Sequence, residues 1–146
     1  MNRSRRILWV GLLLLYAGFA DAPKGRDSDW LIRVGLEQAA WAQVLYVGVS
    51  EGNLRWVDPR TGATLAEGTA GQLWELRREN GRYRAICGQA QVQAERLVAE
   101  PMNGGFIMVG ASPNTLRRYR GHLEWTERDG KLLAINWVLL DDYLKA

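Results

Sequence analysis

Two dipeptides, Asn80-Gly81 and Asp129-Gly130, constrain this chain more than anything else in it. Each supplies the paired positive φ angles that a two-residue hairpin turn requires, and each lies between apolar runs. Such runs recur at intervals of roughly ten residues. They cover Trp30–Leu36, Val44–Ser50, Leu54–Asp58, Thr64–Glu67, Gln72–Arg78, Arg82–Cys87, Phe106–Gly110, Tyr119–Thr126 and Leu132–Leu139. Further turn formers separate them at Glu51-Gly52-Asn53 and at Asp58-Pro59-Arg60-Thr61-Gly62. The spacing predicts a mainly β fold of antiparallel hairpins in a meander. Sixteen Gly against four Pro, with seven Trp and five Tyr, suit aromatic strands and tight turns better than a helical bundle. With 146 residues, 47% hydrophobic and 24% charged, the chain is long enough for one core and too apolar for disorder.

The first residues have a different character. Arg3, Arg5 and Arg6 precede an apolar run from Ile7 to Tyr16, and small residues follow at Ala17, Gly18 and Ala20. This is the layout of a secretory signal peptide over residues 1–20. The apolar stretch is about 14 residues, short of the roughly 20 that span a bilayer, so a membrane association is expected only through this segment if it stays uncleaved. Cleavage after Ala20 fits better than after Ala22, which would leave Pro23 beside the cut. Residues 21–29 are polar and turn-forming, a linker before the fold begins near Trp30. Loss of residues 1–20 removes three of the nineteen Lys and Arg and none of the sixteen Asp and Glu, so the exported chain carries no net charge. The basic pI near 9.3 is therefore no footprint of nucleic-acid binding. Arg77-Arg78 and Arg117-Arg118 read as solvated strand ends rather than phosphate sites.

One Cys excludes an internal disulfide and a multi-Cys zinc site, and His122 is the only histidine. Cys87 shares a strand face with Tyr83 and Ala85 and reads as a small core residue. Gly104-Gly105 sits in a turn with no helix after it, so no nucleotide cofactor, or any other, is expected. In Tyr119–Thr126 one face carries Leu123 and Trp125, and the other His122, Glu124 and Thr126. In Leu132–Leu139 both faces are apolar except for Asn136, as in a central strand with Trp137 in the core. Gln89–Glu100 is ambiguous, with strand favoured at Glu95–Ala99. The last residues, from Leu140 through Asp141-Asp142 to Lys145, read as a capped helix start, which on its own would be too short to stand in water. That suggests an N-terminal piece of a longer protein.

Two stretches carry a resemblance. Tyr119-Arg120-Gly121-His122-Leu123-Glu124-Trp125, then Gly130 through Asn136 to the helix start Asp141-Asp142-Tyr143-Leu144-Lys145, resembles the SpoIID/LytB family of bacterial cell-wall proteins. The order matches that family's Tyr-Arg-Gly strand, hairpin, Asn-x-Val strand and Leu-Glu-Asp-Tyr-Leu helix start. Ile32-Arg33-Val34-Gly35-Leu36 is similar to the region that commonly precedes the domain. The resemblance marks Tyr119, Arg120, Gly121, Asn136, Asp141, Asp142 and Tyr143 as motif residues, with Asp141 where the family usually has Glu. It divides the chain into a β-rich region at 30–112 and the start of a SpoIID/LytB-type domain at 113–146. It implies work on peptidoglycan glycan strands by a lytic transglycosylase route, or assistance to a cell-wall amidase, with sporulation as one setting. It also implies a catalytic Glu beyond Ala146, so no catalytic residue is expected within the chain.

The remaining candidates are weak on the residues alone. Glycoside chemistry uses two carboxyl groups about 5–10 Å apart, or one acid with a raised pKa, and adjacent Asp141 and Asp142 cannot flank one bond from opposite sides. They read as cap and first-turn charge. His122 and Glu124 form an acid–base pair at strand spacing, though exposed neighbours of this kind arise by chance. Trp56 and Trp74, flanked by charged residues, are candidates for stacking on sugar rings, with core packing the plainer alternative. A non-catalytic secreted β module that binds wall glycan or a partner hydrolase is the alternative to the enzyme reading.

Overall fold

The computed structural model describes residues 30–145 throughout, and before them only the backbone of a two-stranded antiparallel ribbon, β1 (Arg6–Trp9) with β2 (Leu14–Ala17). The signal peptide expected at 1–20 and the linker at 21–29 otherwise lie outside the described residues. The rest is mainly β and antiparallel, with one short helix at the end.

Two sheets hold the strands. The first runs β10 (Ala90–Ala94), β9 (Arg82–Cys87), β8 (Trp74–Glu79), β5 (Leu45–Val49), β12 (Ile107–Gly110), β13 (Arg117–Tyr119). The second runs β3 (Leu31–Gly35), β15 (Lys131–Leu139), β14 (His122–Arg128), β11 (Val98–Pro101), β6 (Asn53–Val57), β7 (Thr64–Thr69), with β4 (Trp41–Ala42) beside β3 on β15. Helix α1 (Leu140–Leu144) continues directly from β15.

The two hairpin turns form as their dipeptides require. Asn80 and Gly81 take φ of 52° and 76°, and Asp129 and Gly130 take 53° and 73°. Glu79 pairs with Arg82 and Arg128 with Lys131, so each loop has two residues and the primed geometry that matches strand twist. Other pairings join distant segments: β5 with β12, β6 with β11, β3 with β15. Local spacing cannot specify these, because they depend on which faces bury together.

The inward faces of both sheets meet in one core. Trp56 of the second sheet packs edge-on against Trp74 of the first, ring centroids 5.6 Å apart, and lies 6.2 Å from Trp125. Gly68 makes room for this, since a Cβ there would come within 2.6 Å of the Trp74 Nε1. Trp56 is 0% exposed and Trp74 1%, so neither can stack on a sugar ring. Their charged sequence neighbours lie on the opposite strand face, which is why flanking charge misled.

Several boundaries differ from the expectation. Residues 113–146 do not stand apart from 30–112: β13, β14 and β15 pair with β12, β11 and β3, and the core spans both parts. Of the strand expected at Glu95–Ala99, Val98 and Ala99 open β11, while residues 95–97 are the passage to it from β10 in the other sheet. The single strand expected at Tyr119–Thr126 is two, β13 and β14, again in different sheets. In β15 the core side carries Leu132, Ala134 and Val138, while Trp137 is only half-buried on the outer face. Cys87 packs part-buried against the core edge. Helix α1 has Leu139 at its N-cap, with no side-chain cap, and Asp141 and Asp142 in its first turn.

Candidate functional site

The chain changes sheets between Tyr119 and His122, and Gly121 makes that corner. Its φ is 81°, in the left-handed region that favours glycine. An added Cβ would overlap the Trp137 carbonyl oxygen and lie 2.9 Å from its carbon and 3.0 Å from the Val138 Cα. Asn136 of β15 secures the corner from below. Its Nδ2 donates to the Arg120 carbonyl at 2.8 Å and the His122 carbonyl at 3.2 Å, one on each side of Gly121. This satisfies a buried amide and fixes where Arg120 and His122 leave the backbone.

Beside the corner lies a cavity of about 630 Å³, within the usual range for small-ligand sites. One wall is the end of β3 and the turn after it, residues 34–39. The facing wall is residues 117–120, with Phe106 beside them, and α1 contributes Asp142 and Tyr143. Asn136 and Val138 of β15 line it as well. A second cleft of about 370 Å³ shares Phe106, Arg120 and Asp142 with the first, and adds Glu100, His122, Gly104 and Gly105.

The charges in this space are unevenly committed. Glu37 pairs with Arg128, and Glu100 accepts from Arg55 at 2.5 Å. Asp142 has no ion-pair partner among the described residues. The guanidinium groups of Arg118 and Arg120 lie 5.7 Å and 4.9 Å from the Phe106 ring centroid, a cation–π arrangement. Burial raises the pKa of Tyr119, and the bond from Arg117 works against that rise.

His122 and Glu124 do not form an acid–base pair. Glu124 accepts from Arg96 at 2.5 Å through one oxygen and from the Trp137 indole at 3.0 Å through the other. The imidazole stacks instead along Trp137, whose other neighbour is Arg33, 5.0 Å from the ring centroid. Burial lowers the His122 pKa, opposed by Glu100 and Glu124, which keeps the ring neutral at pH 7. Among the described residues no three His, Cys, Asp or Glu side chains are arranged to hold a metal ion.

Of the motif residues, Tyr119, Arg120, Asn136, Asp142 and Tyr143 line the larger cavity, and Gly121 lines the smaller cleft. Asp141 lines neither. Phe106 was missed, and Arg117 and Arg118, weighed as a phosphate site and read as a solvated strand end, line the cavity as well. The spacing of Arg118 and Arg120 was the available signal, because alternate residues on an extended segment share a face. Compared with known protein families, with curated proteins and with solved structures, the chain has no match.

Proposed function

We propose that this chain is an exported cell-wall protein of the SpoIID/LytB type that takes part in peptidoglycan remodelling. The observation that carries the reading is the convergence of five motif residues, from the β13 corner, β15 and α1, on one cavity. Pairing between β14 and β15 sets Leu123 beside Asn136 and so brings the Arg120–Gly121 corner to it, but hairpin geometry alone does not turn Tyr143 toward the same space. A site with aromatic rings, guanidinium groups and an amide suits a polymer of acylated amino sugars and short peptides. Export rests on the basic and apolar layout of residues 1–20. The partners would be peptidoglycan glycan strands and, on the LytB side of the family, a wall amidase.

The state of the carboxylates favours binding over cleavage by these residues. Two of the three carboxylates in the clefts are held by arginines, so no pair of free acids flanks a bond here, and a single-acid transglycosylase step would fall to Asp142 alone. The test is co-sedimentation of the purified protein with insoluble peptidoglycan, intact and stripped of stem peptides, with the supernatant assayed for anhydro-muropeptides. Binding without release is the expected result. Absence of binding to both preparations would overturn the reading, and release of products would place the chemistry on this chain, with Asp142 the first residue to replace.

A further inference from the structure

We propose that Arg117, Arg118 and Arg120 form a carboxylate-binding wall, and that the larger cavity holds the wall polymer by its free carboxylates rather than by a neutral sugar face. The proposal rests on the peptidoglycan reading and names what that site recognises. Seven other arginines among the described residues sit in ion pairs with Asp or Glu. The three at the cavity do not: Arg117 bonds Tyr119, and Arg118 and Arg120 lie over Phe106. Guanidinium groups held over an aromatic ring are already oriented, so less side-chain freedom is lost when an anion arrives. The opposing charges do not cancel them, because Glu37 is committed to Arg128 and only Asp142 is left on the α1 side.

Peptidoglycan offers carboxylates from two sources: the stem peptides, and the lactyl groups freed when those peptides are removed. The fold bears on the choice. Strand β13 ends its sheet, and among the described residues no strand pairs with its outer edge. Its backbone can therefore take the amides of a short extended peptide lying along the cavity.

The test measures binding of the whole protein to four preparations: intact and peptide-stripped polymer, each before and after its carboxylates are converted to neutral amides with carbodiimide and ethanolamine. Blocking should weaken binding about tenfold or more, the size expected for losing charge-assisted bonds. Added salt should weaken binding to the unblocked polymer in step. The double variant Arg118→Gln/Arg120→Gln should show the same loss, while Arg82→Gln, at the exposed start of β9, should not. Tight binding to intact polymer assigns the peptide carboxylates, and tight binding to stripped polymer assigns the lactyl ones. Undiminished binding after blocking overturns the carboxylate site and leaves the wall reading standing. Failure to bind any preparation removes the wall reading itself. The blocking and salt arms use the unaltered protein, so a variant that misfolds cannot hide the answer.

Discussion

Replacement of Gly121 by alanine tests the corner directly, and Gly130→Ala supplies its control. Both glycines have positive φ, 81° and 73°, so each alanine incurs the left-handed penalty of about 1–2 kcal/mol. They differ in what the new methyl meets. At Gly130 nothing lies within 4 Å. At Gly121 the methyl overlaps the Trp137 carbonyl and crowds the Val138 Cα, both backbone atoms of a central strand. Relief requires a backbone shift in β15 or in the corner, about 1–3 kcal/mol more. The expected total is about 2–5 kcal/mol for Gly121→Ala against about 1–2 for Gly130→Ala. At roughly 4 °C per kcal/mol for a domain of this size, the melting temperature should fall by about 8–20 °C and 4–8 °C respectively. Urea unfolding followed by tryptophan fluorescence gives both values, with unchanged m-values confirming comparable transitions. Equal losses in the two variants would refute the close approach at Gly121.

Three other substitutions separate parts of the argument. Asn136→Ala should destabilise by about 1–3 kcal/mol in the same unfolding assay, since the carbonyls of Arg120 and His122 lose their donor; a loss below about 0.5 would mean that Asn136 does not secure the corner. Trp74→Phe should be mild, under about 1.5 kcal/mol, because Nε1 has no hydrogen-bond partner among the described residues, whereas Trp74→Ala should lose about 3–5; a Phe loss well above about 1.5 would count against an unpartnered indole nitrogen. His122 has a folded pKa below its ordinary 6.5, so the unfolded chain takes up the proton first. Stability should be full above that value and decline as pH falls through the folded pKa, and His122→Gln should flatten this acid-side decline in unfolding curves measured from pH 7.5 to 5.

What the sequence made legible was local. Asn80-Gly81 and Asp129-Gly130 specify their turns because two adjacent positive φ values leave the backbone few alternatives. Strand faces were harder. Leu133 and Ile135 look like core, and both are buried, yet the core cluster takes Leu132, Ala134 and Val138 from the other side of β15. A strand covered on both faces has no alternation to read. Sheet changes were not legible at all in Gln89–Glu100 or Tyr119–Thr126, where an apolar pattern continues while its partner strand changes. Gly121 inside a strand pattern was the one available sign of a break.

The motif residues divide by what they do. Gly121 and Asn136, although Asn136 also lines the cavity, act chiefly on the backbone around them and set the position of Arg120 and the opening beside it. Arg120 and its neighbour Arg118 touch the cavity and carry no ion pair among the described residues. Variants should therefore fall into two classes when stability and peptidoglycan binding are measured together. Gly121→Ala and Asn136→Ala should lower both, because the corner that aims Arg120 is part of the fold. Arg118→Gln and Arg120→Gln should lower binding at nearly constant stability, since each removes an exposed side chain whose only described contact is the Phe106 ring. If the arginine variants lost as much stability as the corner variants, the cation–π contact would be holding the fold, and the wall would not be a free site.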